Sequence, residues 1–343
     1  MKEELLIQGM DSECAFVDAA RMVLEHRVTN MLLHEPGVRE GEDIEALHDM
    51  RVYSRRLREA LRIFESCCDR KHFKSVYKRV RNITVGLGEV RNLDVFIAFF
   101  ARYGQEDGAP DSLVEASDKL IEWAKKKRDK LRHGMLKQLD DLRPDELKDD
   151  VMGLIPAPPP EQAAPEASAA REREEKTARM LKARYSIAFR ARRLVHERED
   201  VVEEAWAAAE AASGSRSVEF HELRISFKKI RYALETLYPA FTMEDLDRIY
   251  ANVKEYQDIL GDIHDNDVFH AVVQKKRRKA EAKGDNLLAA GYFTVSARLV
   301  TRRHELETQL KELQEKYPLD LMLKEIDGAF VPVKRPRKRK KKK

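Results

Sequence analysis

Apolar residues recur at positions i, i+3, i+4 and i+7 through most of the chain, which is the spacing of one face of an α-helix. Turn signals separate these segments: EPG at 35–37, YGQEDGAP at 103–110, SGS at 213–215 and KGDN at 283–286. Each half should therefore hold about four helices, and such short connections favour antiparallel neighbours in a bundle. A proline-rich stretch, GLIPAPPPEQAAPEASAA at 153–170, interrupts the pattern and predicts a flexible linker.

The pattern predicts an all-α protein divided into four regions. They are a first helical bundle at 1–150, a Pro/Ala-rich linker at 151–170, a second bundle at 171–330, and a disordered Lys/Arg-rich tail at 331–343. The tail is predicted to be disordered because its charges repel one another and it has nothing to bury. Composition agrees with the fold class, since 37% charged and 7% aromatic residues favour long amphipathic helices over sheets.

The two halves of the chain repeat each other. HDMRVYSRRLREAL from His48 lies over HELRISFKKIRYAL from His221 without a gap, 173 positions later. The same offset aligns LGEVRNLDVF at 87–96 with LGDIHDNDVF at 260–269, and RHGMLKQLDDL from Arg132 resembles RHELETQLKEL from Arg303 at an offset of 171. Copies of this kind usually pack about a pseudo-twofold axis, so we expect equivalent surfaces to face one shared space.

One face of the repeated helix is strongly basic. At about 100° per residue, the histidine and arginines of the first copy fall within a sector about 80° wide, opposite an apolar face. These stripes comprise His48, Arg51, Arg55, Arg58 and Arg62 in the first copy, and His221, Arg224, Lys228 and Arg231 in the second. Glu235 departs from the stripe, where the first copy has Arg62.

A solvated helix face usually mixes charge signs, whereas like charges three and four apart repel by on the order of 1 kcal/mol per helix. An external polyanion would offset that repulsion, so we interpret the stripes as an anion site in a basic groove or channel. Equivalent helices could add further cations at Arg81 and Lys254, just ahead of the two LG pairs that we read as turns, and at Arg132 and Arg303.

These residues resemble a known family. HDMRVYSRRLREALRIF followed by LGEVRNLDV, and HELRISFKKIRYAL followed by QDILGDIHDNDV, are similar to the two halves of a CHAD (conserved histidine α-helical domain) protein. The resemblance implies two four-helix bundles around a basic central pore that binds inorganic polyphosphate, with association to polyphosphate granules in some members. It carries over onto His48, Arg51, Arg55, Arg56 and Arg58, and onto His221, Arg224, Lys228, Lys229 and Arg231.

Two departures from the family pattern matter. Lysines stand at Lys228 and Lys229 in place of a pair of arginines, which keeps the charge but loses bidentate geometry. Family members often carry an attached triphosphate-tunnel catalytic domain, and no acidic β-barrel strands are visible in this sequence. The chain therefore resembles the binding module alone.

The chemistry of the stripes fits polyphosphate, which needs many cations in a row and no stacking platform or groups that read base edges. The predicted polyphosphate-binding residues are His48, Arg51, Arg55, Arg56, Arg58, Arg62, Arg81, Arg132, His221, Arg224, Lys228, Lys229, Arg231, Lys254 and Arg303. The basic tail could reach other polyanions, namely nucleic acid, inositol phosphates or anionic lipid. The alternative interpretation is therefore a nucleic-acid-associated protein that uses its tail and outer basic surfaces.

Other classes of function find less support in the sequence. No nucleophile, base and orienting group recur at a known spacing, so we expect no catalysis and no cofactor. Histidines beside acidic residues, as in His264–Asp267, could ligate a metal, but neighbouring arginines would repel a cation. We expect Asp94 and Asp267 to pair with stripe arginines or to cap a helix after the LG turn.

Cellular location is predicted from cysteines and hydropathy. Three cysteines without CxxC spacing fit neither a disulfide scaffold nor a zinc site, which favours a reducing cytoplasm. No apolar run approaches the roughly 20 residues that span a bilayer, and no signal peptide is evident. The sequence predicts a soluble cytoplasmic protein that could associate with polyphosphate granules.

Overall fold

The computed structural model describes residues 5–41, 43–103, 108–155, 186–214, 216–241 and 244–330. The described residues contain no β-strand, which confirms the predicted all-α class. The helices are α1 Phe16–Leu33, α2 Glu35–Glu40, α3 Ile44–Ile63, α4 Arg70–Tyr103, α5 Asp111–Asp140, α6 Pro144–Gly153, α7 Ile187–Ala211, α8 Ser217–Leu237, α9 Glu244–Ala282, α10 Asn286–Lys316 and α11 Leu319–Ala329.

The order of helices repeats between the halves. The series α1, α3, α4, α5 and α6 corresponds to α7, α8, α9, α10 and α11, and corresponding pairs of helices pack against each other. Each series therefore contains, besides the four helices predicted for each half, a fifth and shorter helix, α6 or α11. Contacts of α3 with α8, and of α5 with α10, join the halves. The pseudo-twofold axis stays a prediction.

The two LG pairs are not turns, contrary to the sequence-based expectation. Helix α4 runs unbroken through Gly86 and Gly88, and α9 runs unbroken through Gly261. A glycine inside a helix costs only about 0.5–1 kcal/mol relative to alanine, and the buried side chains of Leu87 and Leu260 supply packing on the same turns. Arg81 and Lys254 therefore lie within long helices and do not precede a turn.

Two clusters of buried apolar side chains hold the described helices together. The larger cluster draws residues from both halves, from Met10 to Phe330. The smaller lies where the far ends of α4, α5, α9 and α10 meet, with Phe96 and Phe100 of one half against Phe269 of the other. Because both clusters mix the halves, the halves interlock and do not form two separate cores.

The first half extends past the boundary placed at residue 150. Helix α6 ends at Gly153, and Val151, Leu154 and Ile155 are buried in the larger cluster. These residues of the predicted linker therefore belong to the packed first half. The rest of the predicted linker, 156–170, residues 171–185 of the predicted second bundle and the tail, 331–343, lie outside the described residues. None of the described helices combines the length and apolarity required to cross a bilayer.

Candidate anion-binding site

Helix α3 presents its basic stripe to the space between the halves. The Asp43 side chain caps the N-terminus by accepting a hydrogen bond from the backbone N–H of Glu45 at 2.8 Å. Met50, Leu57 and Leu61 are fully buried on the opposite side of the helix. Burial of this apolar face fixes the rotation of the helix and so directs Arg51 and Arg55 away from the core.

Helices α3, α4, α8 and α9 enclose a cavity of about 290 Å³ between the halves. The basic residues of its lining come from both copies of the repeat: His48, Arg51, Arg55, Arg91, Arg224 and Lys228. The shared basic space expected from the repeat is therefore present. Five of these six residues were predicted from the stripes.

The glycines of the LG pairs lie beside two arginines of this lining. A Cβ atom on Gly88 would lie 3.7 Å from Nε of Arg51, and one on Gly261 would lie 3.9 Å from Nε of Arg224. Each arginine thus passes close to the backbone of the neighbouring long helix, and the arrangement is the same in both halves. The repeated glycine lies inside a continuous helix beside the cavity, where a Cβ atom would make only an ordinary van der Waals contact, and it does not reverse the chain.

The five lysine and arginine side chains of the cavity form no ion pair with any residue that the structure describes. Among the described residues, no carboxylate lies within 4.0 Å of a cationic nitrogen of Arg51, Arg55, Arg91, Arg224 or Lys228. Arg55 lies over the ring of Tyr232, 5.5 Å from its centroid. Five unpaired cations around one partly enclosed space form a site that favours an anion.

The electrostatic cost of this arrangement is visible in the pKa values. Burial, with the charge of Arg55, lowers the pKa of Arg51 to about 10. Burial also lowers the pKa of Arg224, against the partial compensation of Asp265. Desolvated like charges of this kind are typical of a binding site, because a bound anion relieves them.

One wall of the cavity is acidic. Asp258, Asp262 and Asp265 line it from α9. Asp258 accepts a hydrogen bond from Lys254 at 2.8 Å, and Asp262 lies 3.5 Å from Arg302, so both are paired with cations that do not line the cavity. Burial raises the pKa of Asp265, which has no ion-pair partner within 4.0 Å among the described residues. The cavity remains cationic on balance.

The histidines of the two copies have different surroundings. Burial, with the charge of Arg91, lowers the pKa of His48, and its Nδ1 atom is buried without a hydrogen-bond partner. His221 shares a hydrogen bond with His264 between their Nδ1 atoms at 3.2 Å, and burial and Arg224 lower the pKa of His264 to about 4. His48 and His264 are therefore neutral at pH 7, and His48 can offer a ring N–H to a phosphate oxygen.

Arg91 is a cavity residue that the stripe analysis missed. It lies on α4, inside the repeated LGEVRNLDVF segment, at the position of His264 in the other copy. The repeat alignment could have revealed Arg91, because it aligns with His264 of the HDND run. A basic residue at this position in both copies indicates a position that faces the shared space. Reading the segment as a turn concealed that signal.

Two predicted ligands, Arg56 and Arg231, engage a buried carboxylate outside the cavity lining. Nε of Arg56 donates to Oε2 of Glu235 at 3.0 Å, and Nε of Arg231 lies 3.5 Å from Oε1 of the same group. The hydroxyl of Tyr250 also donates to Oε1, at 2.7 Å. The side chain of Glu235 is only 1% exposed, so these arginines neutralise a buried charge and join α3 to α8. Glu235 offsets one of the two positive charges, and these contacts indicate a structural role for both arginines.

The last two residues of the stripe on α3, Arg58 and Arg62, lie near a carboxylate and do not line the cavity. Nη2 of Arg58 donates to Oε1 of Glu59 at 3.2 Å, and Nη1 of Arg62 lies 3.8 Å from the same oxygen. Arg62 is exposed and lies over the ring of Tyr77. The unpaired part of the stripe therefore ends at Arg55.

The remaining predicted ligands do not line the cavity. Arg81, Lys229 and Lys254 are exposed on helix surfaces. Arg132 donates to the backbone carbonyls of Val38 and Arg39, at 3.1 and 3.0 Å. These side chains bind neighbouring backbone or face solvent, because a helix turns only one of its faces toward the cavity.

The equivalence drawn between Arg132 and Arg303 is not repeated in their contacts. Nε of Arg303 pairs with Asp267 at 2.8 Å, whereas Asp94, the counterpart of Asp267, pairs with Arg128. Asp94 and Asp267 lie inside continuous helices, so they are not caps, and their partners are not arginines of the stripes. The matched aspartates tie each long helix to the next one in the chain.

The sequence matches the family model of the CHAD domain over residues 22–274. The match covers well over half of the chain, which therefore belongs to the CHAD domain family. No curated protein matches the chain.

Two solved structures share the fold. The crystal structure of the CHAD domain from the plant Ricinus communis has a TM-score of 0.59 and 21% sequence identity, and the alignment covers 97% of each chain. PptA from Streptomyces chartreusis has a TM-score of 0.61 and 16% identity, over 88% of this chain and 100% of the other. At these identities the similarity shows the common fold.

Proposed function

We propose that this protein binds inorganic polyphosphate without catalysis, in the cavity between its two halves. The observation that carries the proposal is that Arg51, Arg55, Arg91, Arg224 and Lys228 converge on one cavity without a carboxylate partner in the described part of the chain. Membership of the CHAD domain family supports the same ligand, given what the resemblance implies.

The shape of the ligand follows from the shape of the cationic surface. The cations come from four helices and surround a partly open space, so several phosphate groups of one flexible chain can each meet a different cation. The lining contains no tryptophan, tyrosine or phenylalanine on which a base could stack. A linear phosphate polymer fits these features better than a single-stranded nucleic acid.

Binding can be measured by fluorescence anisotropy of an end-labelled polyphosphate at fixed salt. We expect Arg51→Gln and Arg224→Gln each to weaken binding about 10-fold or more, because a hydrogen bond to a charged group contributes about 1.5–3 kcal/mol. Arg81→Gln is the matched control, since Arg81 is exposed and does not line the cavity. Equal losses in all three variants would contradict the proposed site.

Competition separates the proposed ligand from nucleic acid. We expect residues 1–330 to retain polyphosphate binding and to prefer it to RNA of equal charge at physiological salt. A preference of this shortened chain for RNA would overturn the proposal and favour the nucleic-acid alternative. Release of phosphate from polyphosphate in the presence of Mg²⁺ would overturn the non-catalytic part alone.

Location in the cell follows from binding. We propose that the protein associates with polyphosphate granules through the cavity. A fluorescent fusion should collect on granules, and the Arg51→Gln/Arg224→Gln variant should spread through the cell. Unchanged collection of the variant would show that another surface directs the protein there.

A further inference from the structure

The cavity contains one lysine among its cations, at a position where its surroundings oppose charge. Lys228 lies on α8, one turn after Arg224, and lines the cavity with it. Its side chain is half-buried, and no carboxylate among the described residues lies within 4.0 Å of its nitrogen. Its counterpart in the first copy, Arg55, lines the same cavity.

Positive groups face Lys228 from several helices. Arg55 and Arg58 come from α3 and Arg224 from α8 itself, and all three oppose a charge on Lys228. Arg91 lines the same cavity from α4, and α7 contributes no lining residue.

The acidic groups nearby are largely engaged elsewhere. Glu59 of α3 favours the charged form of Lys228, but it is held by Arg58 at 3.2 Å and also lies near Arg62. On α9, Asp258 and Asp262 pair with Lys254 and Arg302, while Asp265 acts on Arg224 and Arg51. The charge on an ammonium group at Lys228 is therefore poorly compensated.

Lysine and arginine respond differently to this situation. A guanidinium keeps its proton under all ordinary conditions, whereas a lysine in a desolvated cationic site gives its proton up. Burial and the charges of Arg55, Arg224 and Arg58 lower the pKa of Lys228 to about 7. The replacement of arginine by lysine thus creates a group that can change charge near neutral pH.

We propose that Lys228 links phosphate binding to proton uptake: it is largely neutral in the empty protein above pH 7 and becomes an ammonium ion when a phosphate chain enters the cavity. This inference rests on the proposed function. The proton comes from solvent and adds to the free amine, and the bound anion stabilises the resulting charge. Affinity for polyphosphate is then highest below pH 7 and falls as the pH rises.

The size of the effect follows from linkage. Above pH 7, affinity for polyphosphate falls about tenfold per pH unit, as long as only the bound protein keeps the proton. Between pH 6 and pH 8.5 the total fall is about 30-fold. The pKa of His48 is lowered and that of His264 lies at about 4 in the empty protein, and both histidines are kept in Lys228→Arg, so a slope produced by them would remain in that variant. Terminal phosphates lose protons in the same range, but the added negative charge acts in the opposite direction.

The test compares Lys228→Arg with Lys229→Arg. Both variants exchange a lysine for an arginine on adjacent positions of α8, but Lys229 is exposed and does not line the cavity. Affinity for polyphosphate is measured at pH 6, 7, 8 and 8.5, and proton uptake is measured at pH 8 by calorimetry in buffers of different ionisation enthalpy. We expect the wild type and Lys229→Arg to lose affinity about 30-fold and to take up close to one proton. Lys228→Arg should bind polyphosphate almost as tightly at pH 8.5 as at pH 6, and no proton should be taken up at position 228.

An identical slope and proton uptake in Lys228→Arg and the wild type would overturn the inference and leave the proposed function in place. Absence of polyphosphate binding to the wild type at every pH would overturn the proposed function. A measurement without ligand tests the lysine independently of polyphosphate binding. In NMR spectra of protein with ¹³C-labelled lysine, the Lys228 resonance is assigned by its absence from Lys228→Arg, and it should titrate near pH 7. Titration of that resonance only above pH 10 would refute the lysine's role by itself.

Discussion

Replacing the buried carboxylate of Glu235 tests whether Arg56 and Arg231 are structural, as their contacts indicate. The substitution Glu235→Gln removes one negative charge and keeps the volume of the side chain. It removes the compensation that Glu235 gives to Arg56 and Arg231, whose side chains are only 8% and 15% exposed. The hydroxyl of Tyr250 can still donate to the amide oxygen of the new residue.

The expected loss of stability is about 3 kcal/mol. Removing one partner of a buried ion pair typically costs 3–5 kcal/mol, since the remaining charge loses its compensation while staying out of water. The lower end applies because the glutamine keeps the hydrogen bond from Tyr250 and creates no cavity. A loss of this size is large compared with the total stability of about 5–15 kcal/mol that is usual for a domain.

The measurement is urea-induced unfolding, followed by circular dichroism at 222 nm. Glu222→Gln is the matched control: Glu222 lies on the same helix, is exposed and has no ion-pair partner among the described residues, so its removal should change stability by less than about 0.5 kcal/mol. Burial raises the pKa of Glu235, but Arg56 and Arg231 outweigh it and the pKa is lowered overall. The stabilisation is therefore complete above the unfolded-state pKa of about 4.3 and is lost as the pH falls through the folded-state value.

The advantage of the wild type over Glu235→Gln should accordingly be greatest near neutral pH and shrink at acid pH. A loss below about 1 kcal/mol at pH 7, or a loss equal to that of Glu222→Gln, would refute the argument. In that case Arg56 and Arg231 would tolerate the loss of Glu235, and their part in anion binding would need to be measured directly.

Three other predictions concern packing and the charge of the cavity. Gly291→Ala should lower stability by up to about 3 kcal/mol in the same urea assay, because the new Cβ would meet the backbone carbonyl of Ser112. The control Gly134→Ala has open space around it on α5 and should raise stability by about 0.5–1 kcal/mol. An unchanged stability of Gly291→Ala would show that α5 and α10 can separate. Arg91→Gln should weaken polyphosphate binding as much as a stripe arginine does, measured by anisotropy, and an unchanged affinity would remove Arg91 from the site. Asp265→Asn should strengthen binding several-fold in that assay, because it removes a negative charge from the cavity wall, and weaker binding would show that Asp265 orients a cation instead.

Local patterns along the chain were sufficient for the helical class, the duplication and the existence of a basic stripe. Hydrophobic spacing reports which face of a helix is buried, so it also reports which face is left for Arg51, Arg55, Arg224 and Lys228. The repeat then required both stripes to occupy equivalent places. These are properties of single helices and of their copies, and they do not depend on how the helices are arranged in space.

Contacts between distant segments were decided by the tertiary structure alone. Helix periodicity cannot tell that Arg56 reaches Glu235 on the other half, that Arg58 turns to Glu59, or that Arg91 enters the cavity. A Leu–Gly pair reads equally well as a turn or as part of a continuous helix until the neighbouring helix is placed. The reason is physical: the sequence sets which side of a helix avoids water, whereas the packing of one helix against another decides which charges meet a counter-ion and which remain free to bind a ligand.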